Sequence, residues 1–184
     1  ASGVDIGVGN KTFIRNALQD DFQDTWSLAE FLYDNHKEFF LLPSDVAVEV
    51  DGKRVAMSVS KLPTKYPIYD IGISTLQEIR PLMINAGCIL WNGPASYFEL
   101  PGFAFGTIEI LNMCTESSAV TIVGGGHTSS LVSNRGVSDS VTHNSTGGGA
   151  CLTMLSGGPM PVIESLNKSN EKFRLLLSSL ELDN

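Results

Sequence analysis

The sequence predicts an α/β fold, a three-layer α/β/α sandwich with a mainly parallel, Rossmann-like sheet and a small added β-hairpin. Short apolar runs that fit buried strands alternate with segments of helical period, an order typical of parallel βαβ units. Two of these runs lead into glycine-rich turns, at residues 124–126 and 147–149. A separate pair of alternating segments flanks Asp51-Gly52, and Asp-Gly favours a two-residue hairpin turn.

The helices are predicted from apolar residues at helical spacing and from residues suited to helix ends. Ser74 and Gln77 have the spacing of a capping box, so we expect a helix to begin at Ser74. Pro81 should kink this helix or mark its effective start, and Gly87 suits its C-terminal cap. The predicted helices cover residues 11–18, 24–33, 74–86, 103–113, 128–134 and 150–155, a segment that opens at Pro161, and a tail over 170–182.

The buried strands are predicted from short, continuous apolar runs. The run Glu38–Pro43 is one of them and ends at its proline. The hairpin strands are expected over 46–50 and 54–59, and the other strands over 38–43, 88–91, 119–123 and 141–144. Ligands of parallel sheets bind at the carboxyl ends of the strands, where Asn92, Gly124 and Thr146 would lie.

The bulk composition indicates a single globular domain. The chain has 184 residues, of which 42% are hydrophobic and 17% charged. A formal net charge of -8 argues against nucleic-acid binding, which normally requires a basic surface. We find neither a signal peptide nor an apolar run long enough to span a membrane, and therefore predict a cytoplasmic protein without a membrane partner.

Cysteines and the first residues also carry information. Cys88, Cys114 and Cys151 are widely spaced in apolar surroundings, so we expect buried, reduced thiols and no metal site. Residues 1–9 have no initiator methionine and resemble a loop within a longer protein, which predicts a fragment with more polypeptide upstream.

The glycine-rich turns predict an anion-binding site. Glycines let a backbone approach a ligand closely, and a helix that begins at such a turn directs free N–H groups and a positive dipole end toward it. A dinucleotide-binding turn at Gly124–Gly126 is an alternative, but Ser129 stands where the third glycine would be. A phosphate loop is disfavoured because the sequence has no Gly-Lys-Ser or Gly-Lys-Thr.

A second polar motif follows the strand at 88–91. Asn92-Gly93-Pro94 makes a sharp turn, from which Asn92 could donate to a phosphate oxygen, and Glu99 could accept from ribose hydroxyls. The simpler interpretation is a turn followed by a surface carboxylate.

Three motifs occur in the order and spacing of the nucleotide-binding, C-terminal half of phosphoglycerate kinases: Trp91-Asn-Gly-Pro with Phe98-Glu99, Val123-Gly-Gly-Gly-His-Thr128, and Ser145-Thr-Gly-Gly-Gly-Ala150. Four further stretches support the match: Leu42-Pro-Ser-Asp45, Tyr69-Asp-Ile-Gly72, Phe103-Ala-Phe-Gly-Thr107 and Pro161-Val-Ile-Glu-Ser-Leu166. The chain therefore resembles this family over about residues 4–169. Its Gly-Gly-Gly-His-Thr form and its Gly3-Val-Asp-Ile-Gly7 opening are most similar to the archaeal branch.

The resemblance implies reversible phosphoryl transfer from 1,3-bisphosphoglycerate to ADP, giving 3-phosphoglycerate and ATP, a step of glycolysis and gluconeogenesis. It implies that Glu99 holds the ribose and that the N–H groups of Gly126 and Gly148 stabilise the moving phosphoryl group. The other implied nucleotide-binding residues are Asn92, Gly93, Pro94, Gly125, Gly126, His127, Thr128, Gly147, Gly148 and Gly149.

Departures from the family pattern occur at three positions. Other branches have Asp in place of His127, where it is associated with Mg²⁺, and imidazole is a poor ligand for that ion. We therefore expect Mg²⁺ to arrive with ADP or ATP and assign it no protein ligand. Ser96 stands where the family usually has Gly, and Tyr97 replaces a small aliphatic residue, so the loop before Glu99 is expected to be reshaped.

The resemblance also places the acid-substrate half upstream of this sequence. Residues 1–170 would form the nucleotide-binding domain without its first segment, and residues 171–184 a helical tail that returns to the absent half. The whole enzyme is expected to be a monomer. The chain alone is expected to be inactive, and Phe173, Leu176, Leu177 and Leu180 could make it self-associate. The alternatives that remain are a dinucleotide-binding oxidoreductase domain and a non-catalytic domain that binds nucleotides or anions.

Overall fold

The structure is a computed structural model that describes residues 2–181, with side chains described through residue 175. Leu182 of the predicted tail, and the side chains of Leu176, Leu177 and Leu180, lie outside the described residues. The helices are α1 (Val8–Leu18), α2 (Phe22–Asn35), α3 (Ile73–Ile84), α4 (Phe105–Glu116), α5 (Gly126–Asn134), α6 (Gly148–Leu155) and α7 (Pro161–Glu181). The strands are β1 (Asp45–Val50), β2 (Lys53–Ser58), β3 (Ile68–Ile71), β4 (Cys88–Asn92), β5 (Val120–Gly124) and β6 (His143–Asn144).

The antiparallel sheet contains the predicted hairpin. Its strand order is β2-β1-β3, and Val48 of β1 pairs with Val55 of β2. Asp51 and Gly52 have φ values of 49° and 77°, the positive pair that a tight hairpin turn requires. The hairpin prediction is confirmed, whereas β3 was not predicted because its four residues are too short to show a period.

The parallel sheet has the order β4-β5-β6 and carries the main core on one face. Ile89 and Trp91 of β4 pack with Val123 of β5 against Leu111 of α4 and Val132 of α5. The mixed α/β class, with a parallel sheet and a small hairpin, is therefore confirmed.

On the opposite face of the parallel sheet, side chains of β4 and of the start of β5 are not covered by other described elements. Cys88 is exposed, and Leu90 and Val120 retain 45% and 50% of their accessible surface. The prediction of three buried thiols is therefore wrong for Cys88, which strand alternation directs to this open face, and for Cys151, which is only partly buried. Cys114 is fully buried, burial raises its pKa to about 11, and Cys151 is half-buried.

The strand predicted over Glu38–Pro43 does not form. Lys37–Phe39 is a single turn of 3₁₀ helix, Phe40 has extended backbone angles, and residues 40–43 belong to neither sheet. The apolar run misled the prediction because a strand needs a neighbour for its backbone hydrogen bonds, and the Phe40 N–H instead donates to the carbonyl of Lys37. Phe39 is 81% exposed, so burial does not stabilise this segment.

The start of α3 is capped from a distance. Asp45, the first residue of β1, accepts hydrogen bonds from the backbone N–H groups of Ser74 (3.0 Å) and Thr75 (2.8 Å) and from the Thr75 hydroxyl (2.7 Å). The predicted capping box is wrong, since the helix begins at Ile73 and its capping carboxylate comes from another strand.

The C-terminal end of α3 and the bounds of α7 also differ from the predictions. Pro81 lies inside α3, which continues to Ile84, and its C-cap is Asn85 rather than Gly87. The two predicted C-terminal helices form one continuous helix, α7, which passes through residue 170 without a break. Among residues 2–181, no helix is long and apolar enough to cross a membrane.

Replacing Asp45 with Ala should lower the free energy of unfolding by roughly 1–2 kcal/mol at neutral pH, the usual effect of losing a helix cap. Burial raises the pKa of Asp45, but hydrogen bonds from Thr75 and Ser74 outweigh it, so the pKa lies below its ordinary 3.8. The contribution of the carboxylate is therefore complete above pH 3.8 and is lost as the pH falls through the lowered value.

Urea unfolding of wild type and Asp45→Ala at a series of pH values measures this effect. The control is Asp34→Ala, which removes only an exposed ion pair to Lys37 and should change stability little. An Asp45→Ala protein as stable as the control at neutral pH would contradict the assignment of the cap.

Candidate functional site

The site begins where β4 and β5 end side by side. In the parallel register Asn92 is the partner of Gly124, the last residue of β5. A Cβ atom on Gly124 would lie 2.7 Å from the Asn92 Oδ1 atom, so a side chain there would displace the amide. Asn92 lies at this edge, where the sequence predicted it, and is exposed.

The first glycine turn leads directly into α5. Gly125, the N-cap residue, has a φ of 93°, a left-handed conformation that glycine adopts without strain. The Ser129 N–H donates to the Gly125 carbonyl, so the N–H groups of the first turn before it have no acceptor within the helix. These N–H groups belong to Gly126, His127 and Thr128.

The Thr128 hydroxyl is already engaged in this turn. It donates to the carbonyl oxygen of Gly124 and lies 3.0 Å from that of Gly125, and Thr128 is fully buried. The side chain therefore holds the shape of the turn, and only the backbone of Thr128 remains for a ligand.

The second glycine turn packs on the first. A Cβ atom on Gly148 would lie 2.4 Å from the Gly125 nitrogen and 3.5 Å from the Asn92 Oδ1 atom. The helix α6 begins at Gly148, and its first internal bond runs from the Cys151 N–H to the Gly147 carbonyl. Asn92 and the N-termini of α5 and α6 therefore meet at one point.

The electrostatics of this point favour an anion. Neither α5 nor α6 has a side chain that caps its N-terminus, and neither has an acidic residue in its first turn. Two positive dipole ends and their free N–H groups thus converge without a compensating charge, which is the arrangement that proteins use to hold phosphate groups.

The segment that follows Asn92 brings Glu99 toward α5. Gly93 has a φ of 110°, which permits the sharp turn, and Pro94 is half-buried. The ring of Phe98 lies edge-on to the exposed ring of His127, with centroids 6.5 Å apart. No described residue donates a hydrogen bond to the exposed Glu99 carboxylate. In the second glycine turn, Gly147 and Gly149 are exposed on either side of Gly148.

A buried ion pair, Asp70 with Arg54, holds the start of α4 through Gly106, and neither of its members was predicted to have a role. Asp70 of β3 is 3% exposed, accepts the Gly106 N–H at 3.1 Å and pairs with Arg54 at 3.2 Å. Burial raises the pKa of Asp70, although the bonds from Gly106 and Arg54 act in the opposite direction. Asp70 and Gly106 stand in two of the motifs that support the family resemblance, Tyr69-Asp-Ile-Gly72 and Phe103-Ala-Phe-Gly-Thr107. Gly106 packs so closely on Asp70 that a Cβ atom would be 2.1 Å from the Asp70 Oδ1 atom, so this position favours glycine.

A family model described as phosphoglycerate kinase matches residues 1–158. Relatives named phosphoglycerate kinase include those of Methanobacterium bryantii (39% identical over 174 residues) and Pyrococcus furiosus (36% over 182 residues). The alignments cover 95% and 97% of this chain, but only 42% and 43% of the relatives.

Solved structures agree with these sequence matches. The crystal structure of phosphoglycerate kinase from Pyrococcus horikoshii matches with a TM-score of 0.80 and 34% identity, over 92% of this chain and 42% of that one. The structure of the enzyme from Coxiella burnetii matches with a TM-score of 0.66 and 33% identity, over 81% of this chain and 38% of that one.

An α/β domain in which two uncapped, glycine-rich helix N-termini meet at the carboxyl edge of a parallel sheet has an architecture that proteins use to hold phosphate groups. This chain belongs to the phosphoglycerate kinase family, a family of kinases, and spans about two fifths of the length of the relatives that it matches.

Replacing Gly148 with Ala should separate the two glycine turns, because the new Cβ atom would overlap the backbone of Gly125. We expect the free energy of unfolding to fall by about 1–3 kcal/mol, as for other overpacked positions. Urea unfolding measures the loss.

The matched control is Gly149→Ala, one residue further along α6. A Cβ atom there meets nothing within 4 Å, and Ala favours a helix over Gly, so stability should stay the same or rise. Equal effects of the two substitutions would contradict the packing of Gly148 on Gly125.

Proposed function

We propose that this chain is the nucleotide-binding part of a phosphoglycerate kinase and holds the phosphates of ADP or ATP between the N-termini of α5 and α6. The observation that carries the proposal is the contact of Gly148 with Gly125, which brings two sets of free backbone N–H groups to one point. Membership of the family supplies the ligand class.

The backbone N–H groups of the two turns would supply most of the charge stabilisation. Phosphoryl transfer needs positioning and stabilisation of charge on the equatorial oxygens more than covalent assistance. The N–H groups of Gly126 and Gly148, one from each helix, would donate to these oxygens. Gly125 and Thr128 hold the first turn in shape, and Gly147 and Gly149 leave the second turn open to a ligand.

The rest of the nucleotide would extend toward the loop after β4. The Glu99 carboxylate would accept hydrogen bonds from the ribose hydroxyls, and Asn92, Gly93 and Pro94 would line the path from the phosphates. The carboxylate is exposed and has no other hydrogen-bonding partner among the described residues, which suits it for this role.

The side chains around the turns do not form a magnesium cage. Among residues 2–175, no three His, Cys, Asp or Glu side chains cluster as metal ligands, and the exposed side chain in the first turn of α5 is that of His127. Mg²⁺ prefers oxygen and keeps several waters. We therefore propose that it enters bound to the nucleotide phosphates, and that His127 contacts phosphate rather than metal.

The other substrate would bind outside this chain. The matching relatives are more than twice as long as this chain. We assign the acid substrates, 3-phosphoglycerate or 1,3-bisphosphoglycerate, to the part that this chain does not cover. The chain alone would bind nucleotide in the cytoplasm without turning over. Its α7 helix exposes Leu166 and Phe173, which would favour self-association when the remainder is missing, although the whole enzyme would be a monomer.

Titration of the chain with Mg-ADP, followed by amide NMR, tests the proposal and detects weak binding. We expect the amides of Gly126 and Gly148 to shift with both ADP and pyrophosphate. Glu99→Gln should weaken ADP binding by about tenfold, the effect of one bond to a charged group, and leave pyrophosphate binding unchanged.

The control is Glu78→Gln, which removes the same charge from an exposed position on α3. NADH serves as the control ligand for a dinucleotide site. Binding of NADH in place of ADP, or no shift of these glycine amides at millimolar ADP, would contradict the proposal.

A further inference from the structure

The loop between β4 and α4 is anchored by three consecutive residues, each to a different element. Ser96 contacts α4 through Thr107, Tyr97 contacts β3 through Tyr69, and Phe98 contacts α5 through His127. Glu99 follows immediately. The course of the loop that carries it is therefore set by contacts with α4 and β3 as well as with α5.

The Ser96 contact is a hydrogen bond between two hydroxyls. The Oγ atom of Ser96 and the Oγ1 atom of Thr107 are 2.5 Å apart. Thr107 is fully buried in the first turn of α4, whereas Ser96 is half-buried. A buried hydroxyl without a partner is unfavourable, so Thr107 draws Ser96 to one fixed point on a rigid helix.

The Tyr97 contact ties the loop to the antiparallel sheet. The Tyr97 N–H donates to the Tyr69 carbonyl at 2.7 Å, and the two rings meet edge to face with centroids 5.4 Å apart. Tyr69 also packs edge to face on Phe103, at 5.2 Å. The next residue, Asp70, accepts the Gly106 N–H, so β3 holds both the loop and the start of α4.

We propose that Ser96 is a positioning residue for Glu99, whose bond to Thr107 keeps the carboxylate ready to receive the ribose of the bound nucleotide. This inference rests on the proposed function, because it takes Glu99 as the ribose ligand. A loop that is ordered before binding loses less conformational freedom when the ligand arrives. Ser96 touches no ligand itself and acts only through the course of the loop.

The test is a double-mutant cycle of Ser96→Ala with Glu99→Gln, read by NMR titration with ADP and with pyrophosphate. We expect Ser96→Ala to weaken ADP binding by about fivefold, the size of one ordinary hydrogen bond, and to leave pyrophosphate binding unchanged. In the Glu99→Gln background, the same substitution should change ADP affinity by less than about twofold, because residues that act together are not additive.

A control variant and a second measurement separate positioning from general stability. Ser165→Ala removes a hydroxyl that donates to the Pro161 carbonyl on α7 and should alter neither affinity. Hydrogen exchange of the Tyr97 amide, measured without ligand, should become faster in Ser96→Ala and stay unchanged in Ser165→Ala.

The outcomes distinguish this inference from the proposed function. If Glu99→Gln weakens ADP binding but Ser96→Ala does not, only the inference is overturned. An equal loss of ADP and pyrophosphate affinity, an undiminished effect in the Glu99→Gln background, or unchanged Tyr97 exchange would also overturn it. If Glu99→Gln has no effect on ADP, the ribose site fails and the inference falls with it.

Discussion

The close contact between Gly148 and Gly125 is the constraint on which the candidate site depends. It requires glycine at position 148, where any Cβ atom would overlap the neighbouring backbone, and a left-handed residue at 125. Because of this contact, two helix N-termini that are separate in sequence present their N–H groups together. The parallel register of β4 and β5 adds Asn92 to the same point.

The antiparallel sheet contributes to the site although it carries none of the glycine turns. Its strands supply Asp45, which caps α3, and Asp70, which holds the start of α4 at Gly106. They also supply Tyr69, against which the loop that carries Glu99 packs. The parallel sheet thus holds the end of the site proposed for the phosphates, and the antiparallel sheet holds the loop proposed for the ribose.

Local sequence patterns predicted the features whose physical cause is local. The Asp51-Gly52 turn needs positive φ at both residues, Gly125 also has positive φ, and Gly124 and Gly148 each lie too close to a neighbour for a Cβ atom. Residue type alone therefore indicates these turns. The resemblance to the family added the ligand and the roles of individual residues. Those roles, for Glu99 and His127 above all, stay predictions.

The features that sequence reasoning missed depend on partners distant in the chain. The cap of α3 comes from Asp45, about thirty residues earlier, and no local pattern reveals it. The run at 38–43 has the composition of a buried strand, but it lacks a paired neighbour in the described chain and stays outside the sheets. Cys88 looked buried because its neighbours are apolar, yet strand alternation places it on the open face.

A crystal structure of the chain with bound Mg-ADP tests the central claim most directly. The account predicts that the oxygens of one phosphate group lie within hydrogen-bonding distance of N–H groups from both α5 and α6, including those of Gly126 and Gly148. A nucleotide whose phosphates contact only one of the two helices, or bind away from Asn92, would contradict it.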